Sequence, residues 1–142
     1  ELEKRPVDMK KIQSDFYHIA TQFDVVVAEG SGGIICPLRM DSPPIMLTDV
    51  IQTLHLPILI VAHAGLGTIN STVLTAAYAK QHNLIVNGII LNQYDSDNLM
   101  HRDNKKQIER LTGIPVVACV KPNETELSVS AESLLHLCND IS

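Results

Sequence analysis

Apolar residues recur along this chain in two alternating rhythms. From Lys10 to Gln22, Ile12, Phe16, Ile19 and Ala20 follow three- and four-residue steps, which puts them on one face of an α-helix. Asp24-Val25-Val26-Val27-Ala28 is then a short unbroken β-branched run, the pattern of a strand buried on both faces. Leu47 to His55 returns to helical period and stops before Pro57, and Ile58-Leu59-Ile60-Val61-Ala62 is a second buried strand. Beyond Gly65-Leu66-Gly67 the stretch Ile69 to Gln81 is helical, Ile85 to Leu91 is a third strand, and Leu99 to Leu111 is a helix closed by Gly113. Pro115 to Val120 is a fourth strand, and Ala131 to Asp140 a last helix. An order α-β-α-β-α-β-α-β-α predicts an α/β fold, a three-layer αβα arrangement with a parallel sheet and helices on both faces. A length of 142 residues without repeat or long linker fits a single α/β domain, 1–142.

Charge narrows the partners. Lys and Arg total 11 against 16 Asp and Glu, a net charge of −5, and the basic residues are scattered. No nucleic-acid footprint is expected from that distribution. The densest basic group, Arg102, Lys105, Lys106 and Arg110, shares its predicted helix with Asp103 and Glu109 and reads as a solvated face. No apolar run reaches the roughly 18 residues of a membrane span, so no membrane partner is expected. Cys36, Cys119 and Cys138 lie far apart in apolar surroundings, with no zinc spacing, and are expected as reduced, buried thiols of a cytoplasmic protein. The opening Glu1-Leu2-Glu3-Lys4-Arg5-Pro6 has neither Met nor a strand, so a further segment is expected ahead of it.

In an open parallel sheet, ligands bind beyond the carboxyl ends of the strands. Four such ends are predicted. At the first, Glu29-Gly30-Ser31-Gly32-Gly33 sets a carboxylate just past a strand, before glycines whose amides can receive phosphate oxygens. It is no Walker A loop, because no Lys-Ser or Lys-Thr follows. Two readings stay open, a Mg²⁺-holding carboxylate or a glycine-rich turn with a surface Glu. At the second, Gly65-Leu66-Gly67-Thr68-Ile69-Asn70 leads into a helix whose first amides can take an anion. With no basic residue nearby, a carboxylate suits it better than a polyphosphate, and plain capping by Thr68 or Asn70 is the alternative. His63, at the same end, reads as packed or solvent-facing rather than catalytic. At the third, Asn92, followed by Gln93, offers a donor and an acceptor matched to the N6 and N7 edge of adenine. The fourth, Lys121-Pro122-Asn123-Glu124, is expected beside the third and able to border the same base.

In this order the four ends resemble those of dethiobiotin synthetase. The resemblance is carried by the EGxGG segment Glu29 to Gly33, by Leu56-Pro57-Ile58-Leu59-Ile60-Val61, by Gly65 to Asn70, by Gly88-Ile89-Ile90-Leu91-Asn92 and by Arg110 to Val116. It implies a P-loop NTPase-like, Rossmann-like fold, incomplete at its amino terminus, and an ATP- and Mg²⁺-dependent cyclo-ligase of biotin biosynthesis. Such an enzyme converts 7,8-diaminononanoate and CO2 into dethiobiotin, with ADP and phosphate released. By the same resemblance Glu29 is a Mg²⁺ ligand, and Glu29, Gly30, Ser31 and Gly32 line the phosphate side. Asn92 and Gln93 contact adenine, Lys121, Pro122 and Asn123 flank it, and Gly67, Thr68, Ile69 and Asn70 receive the substrate carboxylate in a homodimer.

The family's Walker A loop, its Lys-Pro segment and its metal-binding Asp have no counterpart here, and no GxxxxGK[ST] motif occurs. Its catalytic lysines are expected ahead of Glu1, so this chain by itself is expected to be inactive. Gln93 stands where the family often carries an acidic residue. A second class remains open, a non-catalytic nucleotide-binding or regulatory module related to the ParA/MinD-type switch ATPases.

Overall fold

The computed structural model describes residues 6–139, in two compact units, residues 1–56 and 57–142.

The first unit opens with α1, Met9–Ala20, where the Asp8 carboxylate caps the helix by accepting the Lys10 N–H at 2.9 Å. A short antiparallel pair follows, β1 (Pro37–Arg39) and β2 (Ile45–Met46), which the hydrophobic pattern does not announce. The Arg39 guanidinium supports it by donating to the carbonyls of Val7 (2.8 Å) and Pro43 (2.9 Å). Helix α2, Leu47–Leu54, starts where Asp49 accepts the Met46 N–H at 2.7 Å and ends at left-handed His55.

The strand expected over 24–28 is not there. Residues 25–30 take no regular structure, Val27 is 86% exposed, and no ladder partner exists for them among the described residues. A β-strand is a paired object whose N–H and C=O groups need a neighbour. Without one, apolar composition leaves an irregular segment. Glu29 accordingly does not stand at the end of a strand.

The second unit is the α/β part. Strands β3 (Ile58–His63), β4 (Val86–Asn92) and β5 (Val116–Cys119) form one parallel sheet in that order. Helices α3 (Thr68–Gln81) and α4 (Leu99–Thr112) make the crossovers, and α5 (Ala131–Asn139) follows. Ile60, Ile89 and Leu91 turn to one face and meet Ala64, Ala76 and Ile108 in the core. On the other face Gly88 is obligatory, since a Cβ there would stand 2.7 Å from Val117 Cγ1. Val117 lines a hollow on that side with Ser133 and Leu137 of α5, and Asn87 Nδ2 donates to the Leu137 carbonyl at 2.7 Å. Helices thus cover both faces, as alternation predicts. Asn98 caps α4 by accepting the Met100 N–H, and Gly113 ends it at φ 71.

The basic residues of α4 sit on its open side, with Arg102, Lys106 and Arg110 exposed. The cysteines are unpaired, but half-buried rather than buried. Burial is what pushes the Cys119 thiol above its ordinary range, with Lys105 pulling it back and Glu109 adding slightly.

Candidate functional site

The carboxyl ends of β3, β4 and β5 are locked together by the backbone. Ala64 N–H donates to the Asn92 carbonyl, and Tyr94 N–H to the Val120 carbonyl, each at 2.8 Å. His63 and Asn92 are register partners at the last step of the ladder. Three of the four predicted ends therefore share one edge: the 65–70 turn, Asn92 with Gln93, and Lys121 to Asn123.

The 65–70 turn is shaped by its glycines and by what leaves its amides bare. Gly67 is the amino-terminal cap of α3 at φ 86, a left-handed conformation that costs glycine nothing. No side chain caps the helix, which removes the capping alternative for Thr68 and Asn70. Thr68 is buried and its hydroxyl faces that of Thr72 at 3.4 Å, so only its backbone reaches the edge. The Thr68 N–H makes a long 3.3 Å bond to the Gly65 carbonyl, and Ser71 N–H makes the first bond of helical span, to Gly67. The amides of Ile69 and Asn70 lie between these two and are the ones a helix start leaves for a ligand. His63 Nδ1 accepts the Gly65 N–H at 3.0 Å, which fixes the ring's proton on Nε2 and gives His63 a turn-supporting place.

Asn92 is exposed at the end of β4, and its Oδ1 accepts the Gln93 N–H at 2.8 Å. That bond orients the amide, leaving Nδ2 and one Oδ1 lone pair for an outside partner. Gln93 adopts a left-handed φ of 58. Past β5, Lys121 N–H is held by Glu124 Oε2 at 2.8 Å while Glu124 N–H returns to the Lys121 carbonyl. Asn123 in this clasp is left-handed at φ 63. The sequence names Glu124 only as part of a strand end, and its clasping role is visible only in three dimensions.

A second residue missed by pattern reading is Asn104 of α4. It is buried, and its Nδ2 donates to the carbonyls of Ala64 (2.9 Å) and Gly65 (3.2 Å). The available signal is a polar residue one turn before Ile108, on a helix face that should be apolar.

In the first unit, Glu29 to Gly33 form an exposed loop. A Cβ at Gly30 would fall 2.8 Å from Leu47 Cδ2, the end of a flexible side chain that can shift, whereas Gly32 is favoured by its φ of 82. No cluster of three or more His, Cys, Asp or Glu side chains occurs among the described residues. Glu29 alone is no metal cage. It fits the manner in which Mg²⁺ accompanies a nucleotide, through one or two carboxylates with phosphate and water completing the shell. A hollow of about 400 Å³ lined by Val73, Lys80 and Leu111 lies at the amino ends of the strands, away from this edge.

Residues 1–129 match the AAA domain family. The chain belongs to that family. Its α/β fold is accordingly of the P-loop NTPase-like class. It is 49% identical over 118 residues to the ATP-dependent dethiobiotin synthetase BioD of Clostridium botulinum (strain Eklund 17B / Type B), which covers 83% of this chain and 52% of that protein. The protein of the same name from Brachyspira hyodysenteriae is 49% identical over 121 residues, 84% of this chain and 55% of its own length. That of Clostridium botulinum (strain 657 / Type Ba4) is 42% identical over 141 residues, 99% of this chain and 62% of the relative. The chain thus spans between half and five-eighths of these relatives' length. The similarity to dethiobiotin synthetases read from the strand ends is borne out. No helix among the described residues is long and apolar enough to cross a membrane.

Proposed function

We propose that this chain is part of an ATP- and Mg²⁺-dependent dethiobiotin synthetase acting on 7,8-diaminononanoate and CO2. The observation that carries the reading is the shared edge, where an uncapped helix start and an oriented Asn92 amide stand on adjacent strands. The bare amides of Ile69 and Asn70 suit a carboxylate tail, with the helix dipole adding about 0.3–1 kcal/mol. Asn92 and Gln93 receive adenine, and Lys121, Pro122 and Asn123 border it. Glu29 offers one carboxylate to Mg²⁺, which when bound offsets phosphate charge, and Gly30, Ser31 and Gly32 give their backbone to phosphate oxygens.

The reaction such a site serves has three steps. One substrate amine adds to CO2 to give a carbamate. A carbamate oxygen takes the γ-phosphoryl group of ATP, releasing ADP. The second amine then attacks the carbamoyl carbon, and phosphate leaves as the ring closes. What these residues contribute is orientation, holding the substrate tail and the base so that the reacting ends meet.

Exposed Leu66, in the turn before α3, and exposed Leu74, within it, leave apolar surface near this site, which supports a homodimer. The reading includes residues 1–142 as one α/β domain, a cytoplasmic setting and no nucleic-acid or membrane partner.

The test joins this chain to the portion of the Clostridium botulinum relative that the alignment leaves uncovered. Dethiobiotin formation from 7,8-diaminononanoate, bicarbonate and Mg-ATP is expected from the chimera. None is expected from the 142 residues alone, which contain no phosphate loop. ATP hydrolysis by the chimera without dethiobiotin would favour a switch-type module instead.

A further inference from the structure

The buried face of α4 holds a polar residue where packing alone would favour an apolar one. Asn104 is 8% exposed and stands one turn before Ile108, which is fully buried. An amide taken out of water without partners is strongly disfavoured, so such a residue is tolerated only where both hydrogens find acceptors. Here they do. The Nδ2 group donates to Ala64 O at 2.9 Å and Gly65 O at 3.2 Å, across 40 and 39 positions of sequence.

Those two carbonyls belong to the turn between β3 and α3. A peptide unit is planar, so fixing a carbonyl also fixes the N–H of the next residue. Asn104 thereby sets two successive peptide planes just ahead of Leu66 and Gly67. That is where the turn is least supported, since Leu66 is 95% exposed and Gly67 has no side chain. Its other holds are Ala64 N–H to the Asn92 carbonyl, Gly65 N–H to His63 and the long 3.3 Å bond from Thr68 N–H to the Gly65 carbonyl. Glycine's conformational freedom would otherwise let the helix start wander.

We infer that Asn104 is a positioning residue for the carboxylate-binding turn: by pinning the Ala64 and Gly65 carbonyls it keeps the Ile69 and Asn70 amides aimed at the ligand. The inference rests on the reading of Gly67 to Asn70 as the carboxylate site given above. It adds a residue that touches no ligand and acts through the turn.

The test is an amide-resolved NMR titration of the 142-residue chain with nonanoate, a carboxylate tail without amines, and separately with ATP. Wild-type chain is expected to shift Ile69 and Asn70 with nonanoate. Asn104→Leu, close in volume but without a donor, should weaken nonanoate by about tenfold, equivalent to about 1.4 kcal/mol, and leave the ATP shifts at Asn92 and Gln93 unchanged. Asn104→Ser, which retains one donor and disturbs packing less, should lose a smaller factor and serves if the Leu variant does not fold. Ile108→Val, a core deletion one turn away, should leave nonanoate affinity as it is. Equal loss in Ile108→Val, or parallel loss of nonanoate and ATP in the Asn104 variants, would reduce Asn104 to ordinary packing and overturn the inference. Nonanoate binding by both Asn104 variants as tight as wild type would do the same while leaving the site standing. If wild-type chain shows no response at Ile69 and Asn70, the carboxylate reading itself falls and the inference with it.

Discussion

Asp24-Val25-Val26-Val27-Ala28 and Ile58-Leu59-Ile60-Val61-Ala62 are nearly the same kind of segment: short, unbroken, β-branched, each leading into a glycine-containing turn. One is the first strand of a parallel sheet, paired at Ile58 with Val86 and, past an irregularity, at Leu59 to Ala62 with Gly88 to Leu91. The other has no ladder partner among the described residues and takes no strand. The difference lies outside both segments. A β-branched run supplies a preference for extended backbone, while the ladder supplies hydrogen bonds and a second layer of side chains. Composition proposes a strand and a neighbour makes it one. The predicted site residues divide the same way, for those that follow paired strands are fixed by backbone bonds while Glu29 follows a segment with no ladder partner among the described residues.

The sharpest way to break this comparison is hydrogen exchange. Amides of Ile89, Ile90 and Leu91, in the central strand, should open only with the unit as a whole, whereas those of Val25 to Ala28 should exchange close to the unstructured rate. The expected gap is about three orders of magnitude or more, on the scale that separates core opening from mobile loops. Protection of Val25 to Ala28 comparable to β4 would mean that the segment is a paired strand after all.

Truncation gives the next largest contrast. Ile89 is fully buried, and Ile89→Ala should lower the stability of the second unit by about 2–5 kcal/mol through lost transfer energy and the cavity left behind. Val27→Ala, at an 86% exposed position, should fall within about 0.5 kcal/mol of wild type. Denaturant midpoints of the two variants decide it, and similar losses would erase the distinction.

The smallest effect concerns β5. Cys119 titrates above its ordinary range, chiefly because burial disfavours the thiolate. The unfolded chain therefore loses this proton at lower pH than the folded one. Stability is unaffected below the ordinary thiol pKa and declines as pH rises from there through the folded value. Cys119→Ala should flatten that alkaline decline, and alkylation of Cys119 should reach its half-maximal rate at higher pH than that of an exposed thiol. An alkylation profile matching an exposed cysteine would show the β5 environment to be open.

Much of the second unit is legible without coordinates. The strands and helices from Ile58 onward lie within one to two residues of where periodicity and the Gly113 stop put them, because each is both patterned and paired. So is the location of Asn92 and Lys121, which needs only the rule that ligand residues follow parallel strands. The order of helices and strands and the solvated face of α4 follow from local signals that agree with one another, whereas the P-loop-like class comes from the resemblance to dethiobiotin synthetase.

Tertiary structure alone decided the rest. It withheld a partner from Val25 to Ala28 and paired Pro37–Arg39 with Ile45–Met46, a hairpin too short for any period to register. It turned the Thr68 hydroxyl inward to Thr72, so that the helix start is left with bare amides instead of a capped end. It also brought Asn104 across 40 residues to the Ala64 carbonyl. A sequence states what each residue prefers for itself and its near neighbours. Whether a carbonyl, an amide or a strand edge finds its partner depends on segments far away in the chain, and only packing brings those together.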